Sequence, residues 1–189
     1  MQMTFHEQIW PMDRMWSPWR SAYVSGAKGR EVGDDESVFT ALLNEERDEE
    51  TLILWRGEQV FIIMNRHPYN SGHLLIVPYR EVTAYDALEP NEQRALAAAI
   101  DRCMGWVRTA LSPDGFNVGM NLGRAAGAGI PEHLHAHVVP RWDGDTNFMP
   151  TTADTKVLPE DLQTTYGKLR TPMSDAARNS TKTSPQKDE

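Results

Sequence analysis

Three histidines occupy alternate positions in the segment from His133 to Val139, which runs His-Leu-His-Ala-His-Val-Val. The alternation of polar and apolar residues, followed by two valines, predicts a β-strand. Successive side chains of a strand point to opposite faces, so His133, His135 and His137 are expected to share one face. Imidazole can act as nucleophile, acid or base near neutral pH. This row is therefore the leading candidate for a reactive site.

Two simpler explanations of the histidine row remain open. Zinc binds neutral imidazoles at about 2.0–2.1 Å, and His133 and His135 with a distant carboxylate would form such a site. At a rise of about 3.3 Å per residue, His133 and His137 lie roughly 13 Å apart, so one ion cannot easily take all three. The histidines could also be hydrogen-bonded core residues, an explanation that suits one histidine better than three on one face.

The residues around the row favour phosphorus chemistry. Arg141 follows the predicted strand, and Arg124 lies in the glycine-rich segment 121–129 that leads into it. Gly127 and Gly129 allow positive φ and close backbone approach, so N–H groups there could cradle a phosphate. A plain hairpin turn is the alternative for this segment, but its position beside the histidines favours an anion site.

The pattern, followed by Pro140-Arg141, resembles the histidine triad (HIT) superfamily of nucleotidyl transferases and hydrolases. The similarity extends upstream to Phe61–Asn65 and Pro68–Pro78, and downstream through Arg141–Pro150. It covers residues 36–170, and the downstream stretch is most similar to the bacterial branch of diadenosine tetraphosphate phosphorylases. The resemblance implies an α+β fold, with an antiparallel five-stranded sheet and a main helix, that pairs as a homodimer.

The resemblance also implies a reaction. His135 would attack the α-phosphorus of a nucleotide and form a nucleotidyl-histidine intermediate, which water or inorganic phosphate then resolves. His133 and His137 would orient His135 and donate to phosphate or leaving-group oxygens. The leading version is phosphorolysis of diadenosine tetraphosphate to ADP and ATP. The alternatives are a nucleoside phosphoramidate or nucleotide hydrolase, and a nucleotide-binding protein with weak turnover.

Several further residues are predicted to contact the substrate, from family positions or from the glycine-rich segment. An alternative role in turns exists for the asparagines, and a core or dimer role for the tryptophan. The predicted substrate-binding residues are Asn65, His73, Asn121, Gly127, Ala128, Gly129, Arg141 and Trp142.

Two departures from the family pattern affect these expectations. Many members carry Gln followed by Ser or Thr before the first histidine, where this chain has Ala128-Gly129-Ile130-Pro131-Glu132. Backbone N–H groups of Ala128 and Gly129 would then replace the hydroxyl. Several relatives hold zinc with a Cys-x-x-Cys pair and two histidines, but the corresponding stretch Val38–Leu42 has no cysteine. We therefore expect no structural zinc and no cofactor held by the protein itself.

Composition limits the remaining classes. A chain of 189 residues with 40% hydrophobic content suits one domain with extensions. It has no apolar run of membrane-spanning length, and the lone Cys103 cannot form an internal disulfide, so we expect a cytoplasmic protein with no membrane partner. Cys103 falls on a helical apolar pattern and is predicted to be a core residue. Residues 30–50 contain nine acidic residues against two arginines. The sequence has no basic stripe, so we expect no nucleic-acid partner.

The chain divides into a Trp-rich arm (1–35), a HIT domain (36–150), a helical extension (151–171) and a disordered tail (172–189). The arm contains Trp10, Trp16 and Trp19 and is expected to pack on the domain or across a dimer. The tail is polar, which favours disorder. Helices are predicted near 37–47, at 90–111 from Pro90, and from Pro159 with Leu162, Tyr166 and Leu169 on one face; strands are predicted near 51–56, 59–65, 73–79, 115–121 and 133–140.

Overall fold

The computed structural model describes residues 36–153, 155 and 157–180. The predicted arm 1–35 and the end of the tail, 181–189, lie outside the described residues. In chain order the elements are α1 (Val38–Asn44), α2 (Asp48–Thr51), β1 (Ile53–Arg56), β2 (Val60–Met64), β3 (Leu74–Pro78), a 3-10 turn (Tyr85–Ala87), α3 (Pro90–Leu111), β4 (Gly115–Met120), a 3-10 turn (Arg124–Ala126), β5 (Ala136–Arg141), α4 (Met149–Ala153) and α5 (Leu162–Ser180).

The five strands form one antiparallel sheet in the order β1-β2-β3-β5-β4, which confirms the predicted α+β fold. β2 and β3 are buried at every position. Continuous apolar runs suit strands that are covered on both faces. α3 packs against β2, β3 and β5, and α5 packs against α3 and β1. None of the helices in the described ranges has the length and apolar character of a membrane span.

The main helix α3 begins and ends where the sequence predicts. Pro90 occupies its first turn, and Glu89 and Glu92 form a capping box in which the Glu89 N–H donates to the Glu92 carboxylate at 2.7 Å. Cys103 lies fully buried on the core face of α3. Burial raises the pKa of the Cys103 thiol far above its ordinary value, so this residue packs as an apolar side chain.

The strand that contains the histidines is shorter than predicted. β5 begins at Ala136, so only His137 lies in a strand, and the prediction is wrong for 133–135. The partner strand β3 ends at Pro78, which has no N–H with which to continue the ladder. The Leu134 N–H instead donates to the Val82 carbonyl at 2.6 Å, beyond the end of β3.

The C-terminal helix starts later than predicted. α5 begins at Leu162 rather than at Pro159, because the Asp161 carboxylate caps it by accepting from the Thr164 N–H at 2.9 Å. Tyr166 and Leu169 are buried, as their spacing predicts.

The same helix continues to Ser180, so the prediction of disorder is wrong for residues 172–180. Extending a formed helix requires no new nucleus, and polar composition alone does not end it.

Candidate active site

His135 lies immediately before β5 and is 7% exposed. Its Nδ1 is 2.9 Å from the main-chain oxygen of His133. Because a carbonyl oxygen only accepts, Nδ1 carries the proton and Nε2 holds the free lone pair. Burial is the main cause that lowers the pKa of His135 below the ordinary 6.5. A neutral ring with a free Nε2 is the form that a nucleophilic histidine requires.

His137 has the opposite tautomer, which a chain of hydrogen bonds fixes. The Tyr69 N–H donates to His73 Nδ1 at 3.1 Å, and the Asn65 amide nitrogen lies 3.3 Å from the same atom. His73 Nε2 therefore carries the proton and donates to His137 Nδ1 at 2.9 Å. The proton of His137 then lies on Nε2, a buried atom with no hydrogen-bond partner among the described residues. His137 thus presents an unpaired donor.

Burial keeps both histidines of this pair neutral. It lowers the pKa of His73 to about 3 and that of His137 to about 4, with a smaller contribution from neighbouring imidazoles. His73 has no exposed surface. The structure therefore places His73 behind His137 and does not support the predicted contact between His73 and substrate.

Ring packing places the His135 and His137 imidazoles side by side. The centroids of His135 and His137 are 4.9 Å apart. Tyr69 stacks on His137 at 5.8 Å with an interplanar angle of 14°. Phe39 of α1 meets the His133 and His135 rings edge-on, at 5.6 and 5.1 Å. The nucleophile candidate and the donor candidate are thus held as neighbours.

His133 differs from the other two, because both of its ring nitrogens are occupied by protein. Nε2 is 2.8 Å from the Pro78 carbonyl and Nδ1 is 2.6 Å from Ser37 Oγ. The side chain is fully buried. The structure does not support the predicted donation from the His133 ring to phosphate; the contribution of this residue to the site is the main-chain carbonyl that fixes His135.

A cavity of about 370 Å³ opens beside His137, between β4 and the loop that precedes β3. Two of the predicted substrate-binding residues, Asn121 and Arg141, contribute to its wall. The polar lining consists of Tyr69, Asn70, Asn117, Asn121, His137 and Arg141.

Arg141 reaches this cavity with its charge already paired. Its Nε and one terminal nitrogen each lie 2.7 Å from the Asp145 carboxylate, and the other terminal nitrogen donates to Asn117 Oδ1 at 2.6 Å. The same carboxylate accepts from Asn70 Nδ2 at 2.7 Å and from the Trp142 N–H at 3.1 Å. Asp145 therefore joins β5 to the loop before β3 beside the cavity, and Arg141 connects the pair to β4 through Asn117.

The remaining predicted contacts are placed less directly. Asn65 uses its amide oxygen for the His67 N–H at 2.9 Å as well as its nitrogen for His73. Trp142 is half-buried, its indole N–H donates to the Ser112 carbonyl at 3.2 Å, and it is not among the residues that line the cavity.

The glycine-rich segment holds itself together rather than offering two N–H groups. The Gly127 N–H donates to the Arg124 carbonyl at 3.0 Å and the Ala128 N–H to the Gly123 carbonyl at 3.3 Å. The predicted cradle formed by Ala128 is therefore not formed in this conformation. Gly129 is exposed beside it.

Sequence reasoning missed several residues of this site. Tyr69 and Asn70 lie within a segment that already carried the family resemblance, and Asp145 lies within the downstream one. Ser37 gave a weaker signal, since a serine before an apolar helix suggests only an N-cap. The hydrogen bonds of Ser37 to His133 and of Asn70 to Asp145 span 96 and 75 positions, so spacing does not reveal them. Tyr69 and His73, like Arg141 and Asp145, lie four positions apart, which is a local signal.

The donor atoms of the described residues bear on whether the site could hold a metal ion. No group of three or more His, Cys, Asp or Glu side chains among them is placed to hold an ion. The two nitrogens of His133 and the Nδ1 atoms of His135 and His137 are engaged in hydrogen bonds.

Comparison with known proteins shows the family to which the chain belongs. Residues 46–144 match the family model of the HIT domain. The chain is 38% identical over 164 residues to the AP-4-A phosphorylase of Mycobacterium tuberculosis. This alignment covers 85% of this chain and 84% of that protein. It is 30% identical over 96 residues to the asymmetrical bis(5'-nucleosyl)-tetraphosphatase of Schizosaccharomyces pombe, covering 47% of this chain and 52% of the relative. The chain belongs to the HIT domain family and is one of its nucleotidyltransferase or hydrolase enzymes.

Solved structures share the fold. A zinc-bound histidine triad family protein from Mycobacterium smegmatis superposes with a TM-score of 0.62 at 24% identity, covering 78% of this chain and 99% of that one. A histidine triad nucleotide-binding protein from Sulfolobus tokodaii gives 0.58 at 24% identity, covering 75% and 91%. Family and fold are thus as the sequence predicts.

Proposed function

We propose that this protein cleaves dinucleoside polyphosphates through a nucleotidyl-His135 intermediate, and that it converts diadenosine tetraphosphate and inorganic phosphate to ADP and ATP. The observation that carries the proposal is the His135 Nδ1 to His133 carbonyl hydrogen bond of 2.9 Å, which leaves Nε2 as the nucleophilic atom. The names of the Mycobacterium tuberculosis and Schizosaccharomyces pombe relatives support this class of substrate.

The proposed reaction has two displacements. His135 Nε2 attacks the α-phosphorus, a P–N bond forms, and the bond to the bridging oxygen breaks with release of ATP. Inorganic phosphate then attacks the adenylylated histidine, the P–N bond breaks, and ADP leaves. The His133 carbonyl stabilises the positive charge that the ring acquires while it is bonded to phosphorus. Two displacements with a well-positioned nucleophile are easier than one, which is the logic of covalent catalysis.

His137 supplies the other half of this chemistry. Its Nε2–H is an unpaired donor 4.9 Å, centroid to centroid, from the nucleophile ring. It is suited to the negative charge that develops on phosphate or leaving-group oxygens. Preorganised donors of this kind commonly contribute about 10²–10³-fold in kcat.

The test is product analysis with diadenosine tetraphosphate, with and without inorganic phosphate. We expect phosphate-dependent ADP and ATP, and a fall of more than about 10³-fold in kcat for His135→Ala. His67→Ala, which removes an exposed histidine, is the matched control and should retain full activity. Mass spectrometry of the quenched reaction should show AMP on His135.

Other products would revise the proposal in defined ways. AMP and ATP without a phosphate requirement would make the enzyme a hydrolase of the same substrate. Turnover of a nucleoside phosphoramidate alone would change the substrate class, and nucleotide binding without turnover would exclude catalysis. We also propose that no protein-bound metal is needed; a stoichiometric metal whose removal abolishes turnover would contradict this.

A further inference from the structure

Ser37 is buried although it begins a surface helix. It is 1% exposed and is the N-cap of α1, where its Oγ accepts from the Thr40 N–H at 3.2 Å. The usual role of an N-cap serine is this acceptance from an N–H of the first turn. Here the same oxygen is also 2.6 Å from His133 Nδ1, a residue 96 positions away in the chain. This long-range hydrogen bond connects α1 to the active site.

The direction of this hydrogen bond follows from the other side of the ring. The Pro78 carbonyl, 2.8 Å from His133 Nε2, can only accept, so Nε2 carries the proton. Burial lowers the pKa of His133, so the ring is neutral and Nδ1 is an acceptor. The Ser37 hydroxyl therefore donates to His133 Nδ1. Ser37 and Pro78 together fix the orientation of this ring.

The loop that follows β3 also holds the main chain of His133. The peptide unit between His133 and Leu134 donates its N–H to the Val82 carbonyl at 2.6 Å, while its carbonyl accepts from His135 Nδ1 at 2.9 Å. One end of this peptide unit is thus anchored to the loop after β3, and the other end selects the tautomer of His135.

Glu81, the neighbour of Val82, joins this loop to α1. Its carboxylate accepts from the Ser37 N–H at 3.0 Å and from the Thr40 hydroxyl. Both hydrogen bonds lower the pKa of Glu81, and the one from the Thr40 hydroxyl has the larger effect. Phe39, between Ser37 and Thr40 in α1, contacts the rings of both His133 and His135. The first turn of α1 therefore forms part of the framework of the nucleophile.

We propose that Ser37 is a positioning residue for the nucleophile: its hydroxyl orients the His133 ring, and through it the main-chain carbonyl that keeps the proton on His135 Nδ1. The inference rests on the proposed role of His135. Ser37 binds the His133 ring and acts on His135 through His133. Glu81 and Thr40 hold Ser37 in place.

The test is Ser37→Ala, which leaves His133 Nδ1 buried without its donor. We expect kcat with diadenosine tetraphosphate and phosphate to fall roughly 10–100-fold, as when supporting hydrogen bonds of other active sites are removed, with KM changed by less than about threefold. Ser37→Thr, which retains the hydroxyl, should restore most of the rate. Asp161→Ala removes the N-cap of α5 instead, and serves as a control for general loss of helix capping.

A second measurement separates positioning from simple destabilisation. ¹⁵N chemical shifts of histidine-labelled protein report which ring nitrogen carries the proton. We expect a single tautomer of His135, protonated at Nδ1, in the unmodified protein and in Asp161→Ala, and a mixture of tautomers in Ser37→Ala. This measurement needs no substrate, so it tests the inference even where the proposed reaction fails.

The outcomes are distinct. Ser37→Ala with the Nδ1-protonated tautomer retained overturns the inference, whether or not the rate falls. Loss of the tautomer in a chain that shows no turnover of the dinucleotide supports the positioning role and rejects the proposed function instead. If Ser37→Ala does not fold, Ser37→Cys, which keeps the volume and offers only a weak S–H donor, takes its place under the same criteria.

Discussion

His135 and His137 occupy alternate positions, yet the protein gives them opposite protonation patterns. A main-chain carbonyl fixes the proton of His135 on Nδ1, and a histidine donor fixes that of His137 on Nε2. One ring therefore offers a lone pair and its neighbour offers a proton. The partners behind the two identical side chains suit one to act as a nucleophile and the other as a hydrogen-bond donor: the His133 carbonyl lies within the triad, whereas His73 lies outside it.

The protonation of these rings leads to a prediction about pH. The ordinary pKa is 6.5, whereas that of His137 is lowered to about 4 and that of His135 is also lowered, mainly by burial. A lowered pKa means that the neutral ring persists as pH falls below 6.5 and is lost only when pH passes through the folded value. We expect kcat/KM to be maintained below pH 6.5, with an acid limb at lower pH.

NMR titration of the histidine rings provides the direct check. His137 should titrate near pH 4 and His73 near pH 3, because each must take up a proton in a buried position. In the unfolded chain these histidines take up protons as pH falls through 6.5, whereas in the folded chain they do so only near pH 4 and pH 3. Acidification from pH 6.5 toward pH 3 should therefore also lower the free energy of unfolding. A midpoint near 6.5 for His137 would show that the ring is solvated and would contradict the assigned hydrogen bonds.

At the scale of elements, the sequence predicted the sheet better than it predicted the site. Apolar runs placed β2 and β3 to within a residue or two, and Pro90 marked the start of α3. The prediction of a strand through His133 is wrong, because Pro78 of the partner strand ends the ladder. The sequence of one strand alone does not show how that strand pairs. The role of Asp145 was missed because its partner Asn70 comes from a separate element, 75 positions away in the chain.

Asp145 allows a prediction about how loops and strands are joined. Its side chain is 8% exposed and accepts from Arg141, Asn70 and Trp142. Asp145→Asn keeps the shape but removes the charge opposite Arg141 and one acceptor. We expect Tm to fall by roughly 2–8 °C and KM for the dinucleotide to rise, because the cavity wall loses its anchor.

Asp143→Asn is the matched control for this change. Asp143 lies in the same turn and is exposed, so its neutralisation should leave Tm and KM unchanged. Thermal unfolding and steady-state kinetics measured side by side decide the question. Equal effects of the two substitutions would mean that the turn responds to charge in general and that Asp145 is no specific anchor.

At the scale of the whole molecule, the structure shows features that the sequence pattern does not predict. The family match, residues 46–144, falls within the predicted HIT domain 36–150, whereas the Trp-rich arm lies outside the described residues. Disorder was predicted from polarity at the C-terminus and was wrong where α5 continues. Composition is a good predictor that a core exists. It does not predict where a helix stops once buried residues, here Tyr166 and Leu169, anchor that helix.

The predicted homodimer remains to be tested, and the sheet indicates where to test it. β4 is an edge strand, and Val118 on it and Leu122 just beyond it are 44% and 48% exposed. Exposed strand edges with apolar side chains readily pair with another chain, and a lysine there opposes pairing.

If β4 forms the contact, light scattering should give about 43 kDa, twice the 21.4 kDa of one chain, and Val118→Lys should reduce this to one chain. Val157→Lys, at an apolar position 52% exposed and outside the sheet, should leave the mass unchanged. A single-chain mass for the unmodified protein would reject the dimer, and a dimer that persists in Val118→Lys would place the contact elsewhere.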